Sequence, residues 1–212
     1  MLSNSTNTAL AIAILAGFVP QPSFAASLSS VSSRVIKFSA RDSEATLMAR
    51  GAASVSFGDT TIYIGTTQVS SINQNPIITS FTNGVRDWAV TNYETGGADS
   101  RGQGLLWDGG SNLYAVFTTD GTQGQASQDF RRFTTGGWLT SYGAGGGPRA
   151  SVLLKLDPLN GSGIPGRGTF IRAQTSTGRT NTVVPTGLDF LGDNLVFLGN
   201  SFFSPCVPTA GP

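Results

Sequence analysis

The residue types in this sequence leave few routes to catalysis. There is no histidine, so neither a Ser-His-Asp nor a Cys-His nucleophile can form, and histidine-based zinc sites are excluded. The one cysteine, Cys206, can neither close a disulfide within the chain nor supply a site with several thiolates. It is predicted to be a small, half-buried residue near the C-terminus, with an intermolecular bridge or a modified thiol as the alternative.

Carboxylates are the remaining candidates. The 12 Asp and Glu residues occur singly, whereas a glycosidase needs two carboxylates about 5–9.5 Å apart; nothing in the pattern favours a pair such as Glu94 and Asp99. Calcium takes about six to eight oxygens, and the segments "DGGSN" and "GDN" provide one Asp each. The glycine-rich "GAGGGPR" (143–149) lacks the Lys-Ser/Thr of a phosphate-binding loop. We therefore predict no catalytic centre, no metal and no cofactor.

One segment, residues 120–147, concentrates residues that could contact a ligand. It is polar and rich in glycine, yet it holds aromatic residues and an arginine pair without counterparts in the rest of the chain. Polar loops on a rigid β-scaffold commonly carry binding residues, so we predict that this segment carries the function and that its removal spares folding. The alternative is that the aromatic rings only anchor the loop to the β-scaffold and bind nothing. The predicted binding residues are Phe130, Arg131, Arg132, Trp138 and Tyr142.

Composition narrows the class of protein. The 13 basic and 12 acidic residues are scattered, so no basic stripe exists to neutralise phosphates and no nucleic-acid partner is predicted. Hydrophobic residues make up 39% of the chain and charged residues 12%, with 28 glycines. This balance favours an all-β protein with many tight turns and argues against disorder. A length of 212 residues allows one domain with a substantial core.

The N-terminus is predicted to carry a targeting signal. The apolar run "ALAIAILAGFV" (9–19) is shorter than the roughly 20 residues of a membrane-spanning helix. Ser23 and Ala25 follow it with the spacing of small residues before a signal-peptidase cut. We predict that residues 1–25 form a signal-peptide helix that packs poorly against the β-domain and is cleaved, leaving 26–212 without a membrane span. No Lys or Arg precedes the run, and the alternative is an uncleaved N-terminal helix.

Three segments echo one another: "GDTTIYIGTT" (58–67), "DGGSNLYAVF" (108–117) and "GDNLVFLGNS" (192–201). In each copy a strand, a polar turn with Gly and Asp or Asn, and a second, nearly all-apolar strand follow one another, which is typical of a tight hairpin. The second strand is predicted to be buried on both faces. The predicted core includes Ile62, Tyr63, Ile64, Leu113, Val116, Val196 and Leu198.

The rest of the chain consists of short apolar runs cut by Gly, Asn, Asp and Pro, which predict strands. Only residues 40–51 have a helical composition, over a short length. We group the chain into three β-units at about 34–67, 86–119 and 151–201, with an insertion at 120–147. The predicted strands are 34–39, 53–57, 61–66, 88–93, 104–107, 113–118, 138–142, 152–156, 169–174, 187–190 and 195–200.

The last unit resembles a known repeat. "SVLLKLDPLNG" (151–161), an aromatic strand at Thr169–Phe170 and "TGLDFLGDNLVFLGNS" (186–201) are similar to the bacterial SBBP-type β-propeller repeat. The resemblance implies propeller blades on an exported binding or scaffolding protein without fixed catalytic residues. Since closed propellers use about four to eight blades, three visible units predict a small or incomplete propeller-like structure. An open array leaves strand edges that promote self-association.

The sequence is compatible with three functions. The first is an exported, non-enzymatic surface, envelope or matrix scaffold, located in the periplasm, at the cell surface or outside the cell, with itself or other envelope proteins as partners. The second is an extracellular glycan- or polymer-binding module that uses residues 120–147. The third is a hydrolase with an unrecognised site, which the absence of histidine makes the weakest of the three.

Overall fold

The structure is a computed structural model that describes residues 8–14, 31 and 34–207. It confirms the all-β class: nearly all of the regular structure is strand, apart from one helix, α1 (Glu44–Ala49), and 3-10 turns at Ala126–Gln128 and Phe130–Arg132. Within the described ranges, no helix has the length and apolar character needed to cross a membrane. The strands are β1 (Thr8–Ile14), β2 (Ala53–Phe57), β3 (Thr60–Gln68), β4 (Gln74–Thr82), β5 (Val85–Val90), β6 (Ser100–Trp107), β7 (Leu113–Thr119), β8 (Ala150–Leu156), β9 (Gly163–Ile171), β10 (Ala173–Gln174), β11 (Thr180–Asn181), β12 (Val183–Leu191), β13 (Asn194–Ser201) and β14 (Ser204–Pro205).

Within the part of the chain that the structure describes, the strands form four antiparallel sheets. Sheet I has the order β2-β3-β4-β5 and sheet II the order β6-β7-β8-β9, so both are four-stranded meanders. Sheet III is β1-β13-β12, and the small sheet IV is β11-β10-β14. The three echoing hairpins are confirmed, and each lies in a different sheet: β2–β3 in sheet I, β6–β7 in sheet II and β12–β13 in sheet III. Each echo therefore forms one hairpin of a separate layer.

Turn chemistry explains the positions of these hairpins. Gly58 and Gly192 have φ values of 54° and 60°, in the left-handed region that glycine enters at little cost. In the β6–β7 turn the Asp108 carboxylate accepts backbone N–H bonds from Gly110, Ser111 and Asn112 at 2.8–3.0 Å. Burial opposes ionisation of Asp108, but these hydrogen bonds outweigh it and hold its pKa below the ordinary value. The Asp in this echo therefore organises a turn.

Strand β4 was not predicted from the sequence, although it pairs with both β3 and β5. Asn83-Gly84 connects β4 to β5 with φ values of 50° and 80°. An Asn-Gly pair between apolar runs is a strong hairpin signal, so the sequence does indicate the β4–β5 hairpin. Pro76 near the start of the run argues against a strand, because proline usually interrupts one.

Two predicted strands are wrong. Residues 34–39 contribute only an isolated bridge between Lys37 and Thr66, and 138–142 contain no strand. The short stretch of helical composition contains α1, whose N-cap Ser43 accepts a hydrogen bond from the Thr46 backbone N–H at 3.3 Å. Residues 34–52 thus form an irregular cover with one short helix.

The N-terminal segment also differs from its prediction. Over Thr8–Ile14 the structure has a strand in place of the predicted helix, paired with β13 from Thr8 opposite Ser201 to Ile14 opposite Leu195. The backbone of these residues therefore lies along the edge of sheet III, and the expected poor packing of the segment stays a prediction. The physical reason for the strand is visible in "TALAIAI", where larger aliphatic residues alternate with alanine at the period of a strand. The rest of 1–25 lies outside the described residues, and its cleavage stays a prediction.

Sheets I, II and III are stacked, and sheet II is the middle layer. Alternate residues along its strands belong to two different cores, because successive side chains of a strand point to opposite faces. The first core joins sheet II to Ile62, Ile64 and Ile78 of sheet I. The second joins it to Leu188, Leu195 and Phe197 of sheet III. A third cluster covers the outer face of sheet I with Phe38 and Leu47.

Glycine permits the close approach of sheets I and II. A Cβ at Gly102 of β6 would lie 2.3 Å from Ile64 Cγ1 and 2.8 Å from the Gly65 carbonyl oxygen of β3. The backbones meet here without room for a side chain.

The stack corrects part of the predicted core. Ile62, Tyr63, Ile64, Leu113 and Val116 are buried as predicted. Val196 is half-buried and Leu198 is 44% exposed. Since β13 has a covered face only toward sheet II, its residues alternate between buried and accessible. The described residues show contacts of sheet I with sheet II and of sheet II with sheet III, and no closure into a propeller.

Candidate functional site

The predicted binding segment, 120–147, connects β7 to β8 and runs along the outer edge of β9. The Leu139 carbonyl accepts a hydrogen bond from the Phe170 backbone N–H at 2.9 Å, and the Leu139 N–H donates to Thr169 Oγ1 at 3.2 Å. Trp138 Nε1 donates to the Phe170 carbonyl at 2.7 Å. The segment therefore covers part of the edge of sheet II, one of the ways in which proteins protect a sheet edge.

Two of the predicted binding residues, Phe130 and Tyr142, are completely buried. The Phe130 ring lies 5.2 Å from that of Phe117, inside the core between sheets I and II. Tyr142 Oη donates to the Pro148 carbonyl at 2.5 Å, and burial raises its pKa to about 12. These rings anchor the segment in the core and have no surface for a partner.

The predicted arginine pair makes local contacts. Arg131 binds the buried Asp129 through Nε at 3.0 Å and Nη2 at 2.7 Å. The Arg132 guanidinium lies 4.3 Å from the centre of the Phe133 ring and donates to the Ser127 carbonyl at 3.1 Å. Both arginines and Trp138 keep partly exposed surface. The structure thus places Phe130, Arg131 and Arg132 on one 3-10 turn and Trp138 at the β9 edge.

Sequence reasoning missed the buried carboxyl group of Glu94, which lies where the β5–β6 and β7–β8 connections meet. Glu94 has no exposed surface; its Oε1 accepts from the Gly96 N–H at 2.6 Å, and its Oε2 has no hydrogen-bond partner. Burial raises the pKa of Glu94 to about 7 although backbone N–H bonding, from Gly96 above all, lowers it, and the negative charges of Asp129 and Asp120 add a smaller rise. A single Glu in an irregular segment gives no sequence signal for such burial.

The pair considered from sequence, Glu94 and Asp99, does not act together. Asp99 accepts from the Gln74 backbone N–H at 3.1 Å and forms an ion pair with Arg101 at 3.2 Å. Because Glu94 is fully enclosed, it cannot touch a substrate in this conformation. Across the described part of the chain, no group of three or more Asp, Glu, Cys or His side chains is arranged to hold a metal ion.

Apolar side chains are accessible on and beside the outer face of sheet III. Leu191 ends β12 and is 73% exposed, and Leu198 of β13 is 44% exposed. Phe202 and Phe203 directly follow β13 and are 58% and 52% exposed. We call these four residues the outer strip of sheet III. Sequence reasoning missed the strip because it assigned both faces of β13 to the core.

No protein-family model, no curated protein and no solved structure matches this chain. The resemblance of 151–201 to the SBBP-type repeat therefore stays a prediction based on the quoted residues.

Proposed function

We propose that the protein is an exported, non-enzymatic β-scaffold that acts through protein–protein contacts, with the outer strip of sheet III as the contact surface. The observation that supports it most directly is the exposure of Leu198 on β13 and of Phe202 and Phe203 directly after that strand. Exposed groups of large apolar side chains mark interaction sites, and aromatic residues are enriched in protein interfaces.

The covering of the other layers supports this choice of surface. The outer face of sheet I packs against Phe38 and Leu47, and sheet II is enclosed between two cores. The β9 edge is partly covered by residues 138–139. Sheet III is the layer whose outer face presents the exposed Leu198.

Export rests on the sequence. The apolar run 9–19 and the small residues Ser23 and Ala25 support cleavage after residue 25, which places the protein in the periplasm, at the cell surface or outside the cell. The enclosed Glu94 gives no support to a hydrolase.

The proposal can be tested with a C-terminally tagged chain expressed in its native host. We expect N-terminal sequencing of the recovered protein to begin at Ala26. We also expect chemical cross-linking in place to produce species larger than one chain, and the triple variant Leu198→Ser, Phe202→Ser, Phe203→Ser to lose them. The variant Leu159→Ser is the matched control, because Leu159 is 84% exposed on the β8–β9 turn. Retention of Met1 in the cytoplasm would contradict export, and unchanged cross-linking of the triple variant would contradict the assigned surface.

A further inference from the structure

Strand β1 is the edge strand of sheet III, and its described pairing is with β13. The ladder includes all seven residues of β1 without a register shift. The register sets Ile12 opposite Phe197 and Ile14 opposite Leu195. Phe197 and Leu195 are buried. The same register sets Ala11 opposite the exposed Leu198. The β13 edge thus accepts an added antiparallel strand over almost its whole length.

The strand that covers this edge lies inside the segment predicted to be removed. Thr8–Ile14 belongs to residues 1–25, so cleavage after Ala25 would take β1 away and leave β13 as the edge. An edge strand exposes a row of unpaired N–H and C=O groups that can pair with another chain.

The β13 edge lacks the features that usually prevent such pairing. Asn194–Ser201 contains no charged residue and no proline, whereas edges are commonly protected by charges, proline or a covering loop. The β5 edge of sheet I carries Arg86 and Asp87. The β9 edge of sheet II carries Pro165 and Arg167 and is partly covered by the 120–147 segment.

We propose that residues 8–14 shield a strand-acceptor edge on β13, and that removal of the N-terminal segment lets this edge pair with β13 of a second copy. The proposal rests on the proposed export in one respect, since export is what would remove the segment. Two β13 strands related by a two-fold axis are antiparallel, and such an interface uses the same surface twice. A register centred on Phe197 places Val196 of one copy opposite Leu198 of the other. Sheet III then continues through both copies, and assembly begins only after the shield is lost.

The test uses the full chain with a specific protease site inserted between Ala25 and Ala26. The uncut protein is expected to be monomeric by size exclusion with light scattering. After cleavage and removal of the released peptide, the mass should double while the far-UV circular dichroism keeps its β spectrum. A synthetic peptide of residues 8–14 with terminal lysines for solubility should return the mass to that of a monomer, and a scrambled peptide should not.

Two substitutions locate the interface. Leu198→Lys brings like charges together across the two-fold axis and should keep the cut chain monomeric. Leu159→Lys, on the distant β8–β9 turn, should leave the dimer intact. A cut chain that stays monomeric without the peptide overturns the proposal, as does a Leu198→Lys chain that dimerises normally. If cleavage causes aggregation, the uncut Ile12→Pro variant replaces the cut chain in the test. Proline at position 12 breaks the β1 ladder, so this variant should dimerise. If it stays monomeric, the proposal is overturned. Failure of the peptide or of the Ile12→Pro variant concerns the β13 edge alone, and failure of export appears as an intact N-terminus in the host. A Leu198→Lys chain that dimerises normally contradicts both the edge and the outer strip as the contact surface.

Discussion

Glu94 lies where the segment after β5 meets the β7–β8 connection, and its side chain has no exposed surface. The charges that act on it are Asp129, Asp120 and Arg132. Thr95 ties the two connections together, because its backbone N–H donates to the Gln128 carbonyl at 2.7 Å. Ionisation of Glu94 places a charge inside a packed junction, and the cost of burying that charge exceeds the stabilisation from the Gly96 N–H bond.

The stability of the protein is expected to decrease as the pH rises from about 4.5 to about 7. Folding raises its pKa from 4.5 to about 7, so the native state keeps a proton that the unfolded chain has already released. The stabilisation is complete below about pH 4.5 and is lost as the pH rises to about 7. Glu94→Gln removes this titration and should gain on the order of 2–3 kcal/mol relative to wild type between pH 5 and pH 8. Urea unfolding of both proteins across this pH range measures the difference in the free energy of unfolding. Parallel curves of stability against pH would show that Glu94 does not cause the pH dependence.

Phe130 distinguishes a core role of the 120–147 segment from a binding role. The sequence predicts that changes in this segment spare folding, but Phe130 is completely buried against Phe117. Phe130→Ala should lower the free energy of unfolding by about 3–5 kcal/mol, because it removes a buried ring and leaves a cavity. Leu159→Ala, at an exposed turn, should change it by less than about 0.5 kcal/mol. If chemical denaturation shows equally small losses of stability for Phe130→Ala and Leu159→Ala, the assignment of Phe130 to the core is wrong.

At the scale of elements, the sequence was most informative where a turn has its own chemistry. The hairpins at Gly58 and Gly192 could be predicted because in each a glycine, which enters the left-handed region easily, stands next to an Asp between two apolar runs. The irregular structure of residues 34–39 could not be predicted, because an apolar run that packs as an irregular chain has the same composition as a strand. The same holds for 138–142, where Leu139 bonds to the β9 edge without forming a ladder.

The contact between sheets I and II gives a prediction at the element scale. Gly102→Ala would put a methyl group 2.8 Å from the Gly65 carbonyl oxygen, so the β3 or β6 backbone must move. We expect a loss of about 1–3 kcal/mol in the free energy of unfolding, which is typical of overpacking. Gly121→Ala is the matched control, because a Cβ at Gly121 meets nothing within 4 Å. Thermal or urea unfolding checks the pair, and equal stability of the two variants would mean that the sheets can separate slightly at no cost.

At the scale of the whole molecule, the sequence predicts the positions of most long strands better than it predicts their layering. Apolar runs of similar length occur in β7, which is buried on both faces, and in β13, which is buried on one. The difference arises from what each sheet packs against, and that depends on contacts between distant parts of the chain. For the same reason the binding role assigned to Phe130 and Tyr142 could not be separated from a core role before the fold was known.

The stacked arrangement makes a prediction that compares neighbouring residues in two strands. In β8 of the middle sheet, Leu153 packs toward sheet III and Leu154 toward sheet I, and both are buried. Leu153→Ala and Leu154→Ala should therefore each cost about 2–5 kcal/mol. In β13 of the outer sheet, Phe197→Ala should cost about 3–5 kcal/mol, whereas Leu198→Ala should cost less than about 1 kcal/mol because its side chain is 44% exposed. Urea unfolding of the four variants measures these differences, with the slope of each transition compared to exclude a change of the unfolded state. Alternation of large and small effects within β8 would show that sheet II has one covered face, and the three-layer stack would then be wrong.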